Sequence, residues 1–300
     1  MFIGVLELFK IGIGPSSSHT MGPMLAAHRF RQSLQSYCSA AGDPAGCTVR
    51  CTLKGSLAFT GQGHNTDRAV ALGLHGYLPD ALVGKDVDAL VRGLWCRSVI
   101  ELQAGCETAF CPADDIVFDR GEPLPQHPNG MIFELVDHTG AARLSMTLFS
   151  IGGGFLSTPQ EIGGLVAPLQ MASGAGCAYG FDSADAMLAM ARDSGLSIAQ
   201  MKRVNECQQI GEAELDRGLD AIWDAMQRCV EQGLSGSGRL PGGLDLERRA
   251  GRLHAQLLGS PGEADANDWL CACAMAVNEQ NAAGGMVVTA PTNGAAGVIP

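Results

Sequence analysis

The 300-residue chain is short of aromatic and of charged side chains: Phe, Trp and Tyr make up 5% of it, and Asp, Glu, Lys and Arg 17%. No stretch reaches the ~18 uninterrupted apolar residues that a membrane-crossing helix requires, so no membrane partner is expected. Basic residues are scarcer than acidic ones. Against 31 Asp and Glu stand 20 Lys and Arg, a net charge of −11. That balance argues against nucleic acid or an anionic lipid surface, while leaving room for a small anion in a local pocket. The opening MFIGVLELFK has no basic leader and no small-residue cleavage site, so no signal peptide is expected. Cys-x-x-Cys is missing too. The 11 cysteines are odd in number and irregular in spacing, which fits a reducing, cytoplasmic compartment better than a disulfide framework. On a helix Cys271 and Cys273 point away from each other, and most of the cysteines read as small buried apolar residues.

What is present describes an ordinary globular protein. Hydrophobic residues reach 46%, enough for a sizeable core, and the length suggests two domains. The 40 glycines imply tight turns and places of close backbone approach. Phe30, Leu34 and Tyr37 recur at helical spacing. In CTVRCTLKG, Cys47, Val49, Cys51 and Leu53 alternate with polar residues, as in a half-buried strand. A Gly-rich turn then leads to a helix from about Thr66 to His75, with Asp67 in its first turn, where a negative charge is favourable. MIFELVDHTGAARLSMTLFSIGGG reads as a hairpin turning at DHTG, and IGGG is expected to end this mixed α/β layer. From about Gln160 the pattern becomes helical: Leu215, Leu219, Ile222, Met226 and Cys229 or Val230 share one face. SADAMLAMARDSG, LDLERRAGRLHAQLLG and NDWLCACAMAVNEQ read as further helices, and GLSGSGRLPGG as a polar connector. The second half is expected to be all-helical. The loop-like, apolar end TAPTNGAAGVIP suggests a truncated chain.

Three stretches carry candidate chemistry. IGIGPSSSHTMGP sets Ser16, Ser17, Ser18, His19 and Thr20 side by side before a helix with Pro23 in its first turn. One of these serines suffices as an N-cap; three plus an imidazole exceed that need. TGQGHNTD places His64 beside Asn65, Thr66 and Asp67, again at a helix start, where free N–H groups favour a carboxylate or phosphate. The plain structural reading is two helix-start loops that happen to contain histidine. In NEQNAAGGMVVTAPTNGAAGVIP, Asn278, Glu279 and Asn281 close a helix, and Thr289, Thr292 and Asn293 offer hydrogen bonds to a small polar ligand or simply build an Asn-Gly turn. His28, His75 and His254 lie in helical stretches and read as surface or satisfied core residues. His138 is expected to face water in the hairpin turn, and His127 is ambiguous. FKIGIG and IGGG are similar to the Schiff-base and phosphate segments of pyridoxal-phosphate enzymes, but Lys10 has too little chain before it to carry a cofactor. A serine hydrolase is excluded on two counts. Adjacent Ser18 and His19 are not expected to touch through their side chains, and no Gly-x-Ser-x-Gly elbow occurs.

FKIGIGPSSSHTMGPM, GSLAFTGQGHNTD, SIGGGF and VNEQNAAGGMVVTAPTNGAAGVIP closely resemble segments of the bacterial iron–sulfur L-serine dehydratases, in order from the first residues to Pro300. The resemblance implies an α+β protein. An α/β sandwich over residues 1–158, similar to the regulatory domains of phosphoglycerate dehydrogenases, would precede the opening part of a mostly helical catalytic domain over 159–300. It implies β-elimination of L-serine to pyruvate and ammonia without pyridoxal phosphate, with a 4Fe-4S cluster whose free iron takes the substrate hydroxyl as a Lewis acid. His64 is the candidate base, with Asp67 near enough in sequence to orient it, and His19 the candidate holder of the carboxylate or the iron-bound oxygen. Ser16, Ser17, Ser18, Thr20, Asn65, Thr66, Thr289, Thr292 and Asn293 become substrate-binding candidates. The partners implied are L-serine and a second copy in a homodimer. The family's cluster cysteines lie further along the catalytic domain, and none of the cysteines here falls in a matching motif, so no metal ligand is expected in this chain. The competing class is a serine-binding or regulatory fragment that lacks the cluster.

Overall fold

The computed structural model describes residues 3–41, 44, 46–82, 84–103, 105–163, 177–259, 262 and 265–299. A short helix, α1 (Val5–Leu8), leads into strand β1 (Lys10–Ile13), and a π turn over Ser17–Met21 opens the long helix α2 (Gly22–Ala41). Strand β2 (Thr48–Gly55) runs into α3 (Ser56–Thr60), a 3-10 turn over Gln62–His64 and α4 (Thr66–Leu74). Next come α5 (Val87–Trp95), β3 (Val99–Gln103), β4 (Cys106–Ala109), α6 (Pro112–Asp115) and β5 (Ile116–Asp119). The hairpin β6 (Asn129–Val136) and β7 (Ala142–Gly152) forms as its alternation predicts. IGGG does not end the layer: it is a turn into one more strand, β8 (Phe155–Ser157), followed by α7 (Pro159–Gly163).

The main sheet runs β3-β4-β2-β6-β7-β8, with β5 also beside β2. In β2 the period of two buries Val49, Cys51 and Leu53 and leaves Arg50 exposed. These residues join Met131, Phe133 and Leu135 of β6 and Leu148 of β7 in one core with Phe30 and Leu34 of α2 and Leu74 of α4. Phe30 stacks on Phe133 with ring centroids 5.4 Å apart. Buried phenyl rings of this kind each stabilise a fold by about 3–5 kcal/mol relative to alanine, which fixes α2, and the π turn at its start, on the sheet.

Beyond residue 176 the chain is mostly helical: α8 (Ala184–Ser194), α9 (Ile198–Ile210), α10 (Glu212–Ser235), α11 (Ala250–Gly259) and α12 (Ala266–Ala282). Ser183, Ser197 and Asp265 cap their helices by accepting from backbone N–H groups. Leu215, Met226 and Cys229 are buried on α10, as the shared face predicts. The molecule is therefore α+β. Three expectations are corrected. The helix read from Leu244 starts at Ala250; the residues before it hold an isolated bridge between Arg239 and Glu247. The second half is not all-helical, because Met286–Thr289 forms strand β9. Fewer cysteines are buried than expected: Cys38, Cys51, Cys106 and Cys229 are, while Cys96 and Cys271 are exposed and five lie between. No helix among the described residues is long and apolar enough to cross a membrane.

Strand β9 pairs antiparallel with β1, in the register Lys10↔Thr289 to Ile13↔Met286. Its outer residues pack on α10, where Met286 and Val288 meet Ala225 and Met226. This pair carries the first motif of the chain and the last one to the same place.

Candidate active site

The β1–β9 pair continues into a set of backbone and amide contacts. The Gly14 N–H donates to the Gly285 carbonyl (2.9 Å), and Asn281 Nδ2 donates to the Pro15 carbonyl (3.0 Å). Asn293 Nδ2 donates to the Ile13 carbonyl (3.2 Å) and to Asn281 Oδ1 (2.9 Å). Gly14 is required by contact rather than by dihedral angle, since a Cβ there would collide with the Asn281 carbonyl. Asn293 is 2% exposed, and its Oδ1 is buried with no partner.

The serine run folds as a π turn, with the Met21 N–H donating to the Ser16 carbonyl five residues back (3.1 Å). Such widened turns often occur at functional sites. Ser16 is the helix cap, its hydroxyl accepting from the His19 N–H (3.2 Å). The remaining side chains do other things. Ser18 Oγ lies 2.9 Å from His19 Nδ1, and Ser56 Oγ lies 3.0 Å from His19 Nε2, so the ring sits between two hydroxyls. The expectation that Ser18 and His19 cannot touch is therefore corrected: the π turn brings the short serine hydroxyl to the ring nitrogen nearer the backbone. Burial, and then the neighbouring His64, push the His19 pKa down to about 4, so the ring is neutral at neutral pH. A neutral imidazole has one donor and one acceptor nitrogen, which two hydroxyls can match.

His64 stands beside it, ring centroids 4.8 Å apart. Ser56 and the His64 turn follow from Gly55, whose φ of +57° suits glycine and whose missing Cβ leaves room for the Pro128 carbonyl. His64 Nδ1 lies 2.9 Å from the Thr60 carbonyl oxygen. That oxygen only accepts, so in the neutral ring Nδ1 carries the hydrogen and Nε2 presents its lone pair. Thr60, not Asp67, is the hydrogen-bond partner that orients His64, and burial raises the Asp67 carboxyl above its usual range. Two threonines lock the histidine backbones together: Thr20 Oγ1 donates to the His64 carbonyl (2.8 Å) and Thr66 Oγ1 to the His19 carbonyl (2.6 Å).

A cavity of about 250 Å³ adjoins the Thr20 and Asn65 side of this cluster. Arg68, Lys85 and Arg248 line it, with Asp86, Asp88 and Gln280. Arg68 is paired with Asp88, and Arg248 donates to Gln280 Oε1 (3.3 Å). Two cations, Lys85 and Arg248, thus face the cavity without a carboxylate salt-bridge partner among the described residues, a setting that suits a carboxylate.

The structure brings Ser16, Ser17, Ser18, His19, Thr20, His64, Asn65 and Thr66 into one cluster and carries Asn293 to its flank. Ser17 is buried at 4% exposure. The Thr289 hydroxyl faces β1 and accepts from the Lys10 N–H (3.3 Å), while Thr292 is exposed. Lys10 lies with its ammonium 3.6 Å from the Phe155 ring centroid and 3.5 Å from the Gly154 carbonyl. Sequence reasoning missed Ser56, Arg68, Lys85, Arg248 and Gln280. Ser56 had a signal in the Gly-Ser step that ends β2. Arg248 had none, since only the folded chain brings it there. Among the described residues no three His, Cys, Asp or Glu side chains come together as a metal-holding group.

These features sit in a chain whose residues 4–161 match the family model described as serine dehydratase beta chain, and residues 193–300 the one described as serine dehydratase alpha chain. The chain belongs to the serine dehydratase family. It is 44% identical over 302 residues to an L-serine dehydratase of Streptomyces coelicolor, an alignment that covers 100% of this chain and 65% of that one. It is 38% identical over 303 residues to L-serine dehydratase TdcG of Escherichia coli and 36% identical over 303 residues to L-serine dehydratase 1 of the same organism, covering 99% of this chain and 64% of each relative. The chain thus spans just under two thirds of the length of these relatives.

Proposed function

We propose that the whole protein converts L-serine to pyruvate and ammonia by β-elimination, and that this chain supplies the base and much of the substrate-binding site. The observation that carries the reading is the His64 ring, fixed by the Thr60 carbonyl so that Nε2 is left as a proton acceptor beside the hydroxyl-bound ring of His19. The relatives' shared name, L-serine dehydratase, supports the substrate.

In this reading Nε2 of His64 removes the α-proton of serine. The electron pair of that C–H bond forms the Cα–Cβ double bond, the Cβ–O bond breaks, and the hydroxyl leaves with a proton as water. The aminoacrylate formed tautomerises to an imine, and water hydrolyses the imine to pyruvate and ammonia. Neutral His19, with Ser16, Ser18 and Ser56, holds the polar end of the substrate near the base. Lys85 and Arg248 favour the approach of its carboxylate through the adjoining cavity. Asn65 lines the adjoining cavity, while Thr20, Thr66 and Thr289 hydrogen-bond to the backbone and hold it in place. The 4Fe-4S cluster that the family resemblance implies would supply a Lewis acid for the departing hydroxyl. The described residues do not offer a fitting ligand set, and no step here runs through it. Pyridoxal phosphate has no part in this reading. The same reading takes residues 1–158 and 159–300 as two domains, and the protein as a cytoplasmic homodimer.

The test is pyruvate formation from L-serine by the whole protein, kept free of oxygen. The His64→Ala form is expected to lose about 10²–10⁴-fold in kcat with little change in KM. A His64→Ala form with the parent kcat would contradict the assignment, and a whole protein that binds serine without forming pyruvate would favour the regulatory reading.

A further inference from the structure

A second cavity, of about 260 Å³, lies in the N-terminal layer and shares no lining residue with the one beside Thr20 and Asn65. Its wall is made by Arg31 of α2, His75 at the end of α4, Arg97 after α5, and Glu101, Leu102 and Gln103 of β3. Arg31 is held in place by two backbone carbonyls: Nη1 donates to Leu74 (3.0 Å) and Nη2 to Leu102 (3.3 Å). A guanidinium has five N–H donors, so three remain. Arg97 is exposed; its backbone N–H donates to the Leu94 carbonyl (3.0 Å), and its guanidinium makes no hydrogen bond or ion pair among the described residues. Nε2 of His75 is buried with no partner, although the ring itself packs near Phe110, centroids 6.2 Å apart. Glu101 is near enough to Arg31 to act on its charge, yet no ion pair joins them.

A buried polar atom with no partner destabilises the protein by about 1–3 kcal/mol, and the residue that carries it lines the same cavity as two cations. Burial first, and then Arg97 and Arg31, lower the His75 pKa to about 4, so at neutral pH the two arginines and one glutamate leave a single positive charge. We propose that this cavity binds a small oxyanion, a carboxylate or a phosphate, between Arg31, Arg97 and the edge of the His75 ring. The anion would tie the end of α4 to strand β3. This site is independent of the reaction proposed above, since none of its residues lies in the histidine–serine cluster.

The test uses the purified protein with inorganic phosphate and acetate as probes, read by isothermal titration at constant ionic strength held with sodium chloride. Saturable one-site binding is expected. Arg97→Met should weaken it by about tenfold or more, as loss of a charged hydrogen bond implies, and His75→Phe, which keeps the ring beside Phe110, should weaken it as well. Glu101→Gln removes the competing carboxylate and should tighten it. Tighter phosphate binding would identify the ligand class as phosphate, and tighter acetate binding as carboxylate. No saturable binding of either probe, or equal binding by the parent and the Arg97→Met form, would overturn the proposal. So would weaker binding by the Glu101→Gln form.

Discussion

His19 shows how much of this site rests on single side chains. Its ring lies between the Ser18 and Ser56 hydroxyls, and burial lowers its pKa to about 4, with His64 adding to the shift. In the unfolded chain the same group takes up a proton near its ordinary value of 6.5. Between these values the unfolded state binds more protons than the folded one, so stability falls as the pH falls from about 6.5 towards 4. Melting temperatures of the parent and of His19→Gln across that window should diverge, the parent losing stability more steeply on acidification. His75 shifts in the same direction but is present in both proteins and cancels. Parallel slopes would show that His19 is not held neutral. The contact that makes this environment was not legible in the sequence. PSSSHT reads as a cap followed by an α-helix, in which neighbouring side chains diverge, and only the wider π turn lets Ser18 reach the ring beside it.

At the scale of elements, the legible parts were those whose partners share their periodicity. The alternation in β2, β6 and β7 and the spacing of Phe30 and Leu34 each reported one inward face; those of β2, β6 and α2 are buried, while on β7 Leu148 is buried and Leu144 and Met146 are partly buried against the same core. Strand β9 gave no such signal. Met286, Val287, Val288 and Thr289 are all buried, so the run has no polar side and a length compatible with a helix end. Its partner β1 lies 279 residues away at the Lys10–Thr289 contact. The start of α11 is another long-range product. That helix has no capping side chain of its own in sequence; the Glu279 carboxylate of α12, 4% exposed, accepts from the Arg249 N–H (2.7 Å) and the Ala250 N–H (3.3 Å). Hydrogen bonds to a charged group contribute about 1.5–3 kcal/mol each. Glu279→Ala should therefore lower the denaturant midpoint by an amount equivalent to about 2 kcal/mol or more, with the slope unchanged. A midpoint equal to the parent's would mean that solvent satisfies those N–H groups as well as Glu279 does.

On the scale of the whole molecule, the β1–β9 pair brings the serine loop and the Asn293 loop together, and the Thr20 and Thr66 hydroxyls lock the His64 turn to the serine loop. The direct measurement is exchange of the serine α-proton with deuterated solvent by the whole protein, in a form in which hydroxyl loss is slowed. In the proposed reaction Nε2 of His64 is the proton acceptor, so His64→Ala is predicted to abolish exchange, while His19→Ala still exchanges but binds serine more weakly. Exchange at the parent rate by His64→Ala, with its loss in His19→Ala, would reverse the two roles, and unchanged exchange in both would place the base outside this cluster.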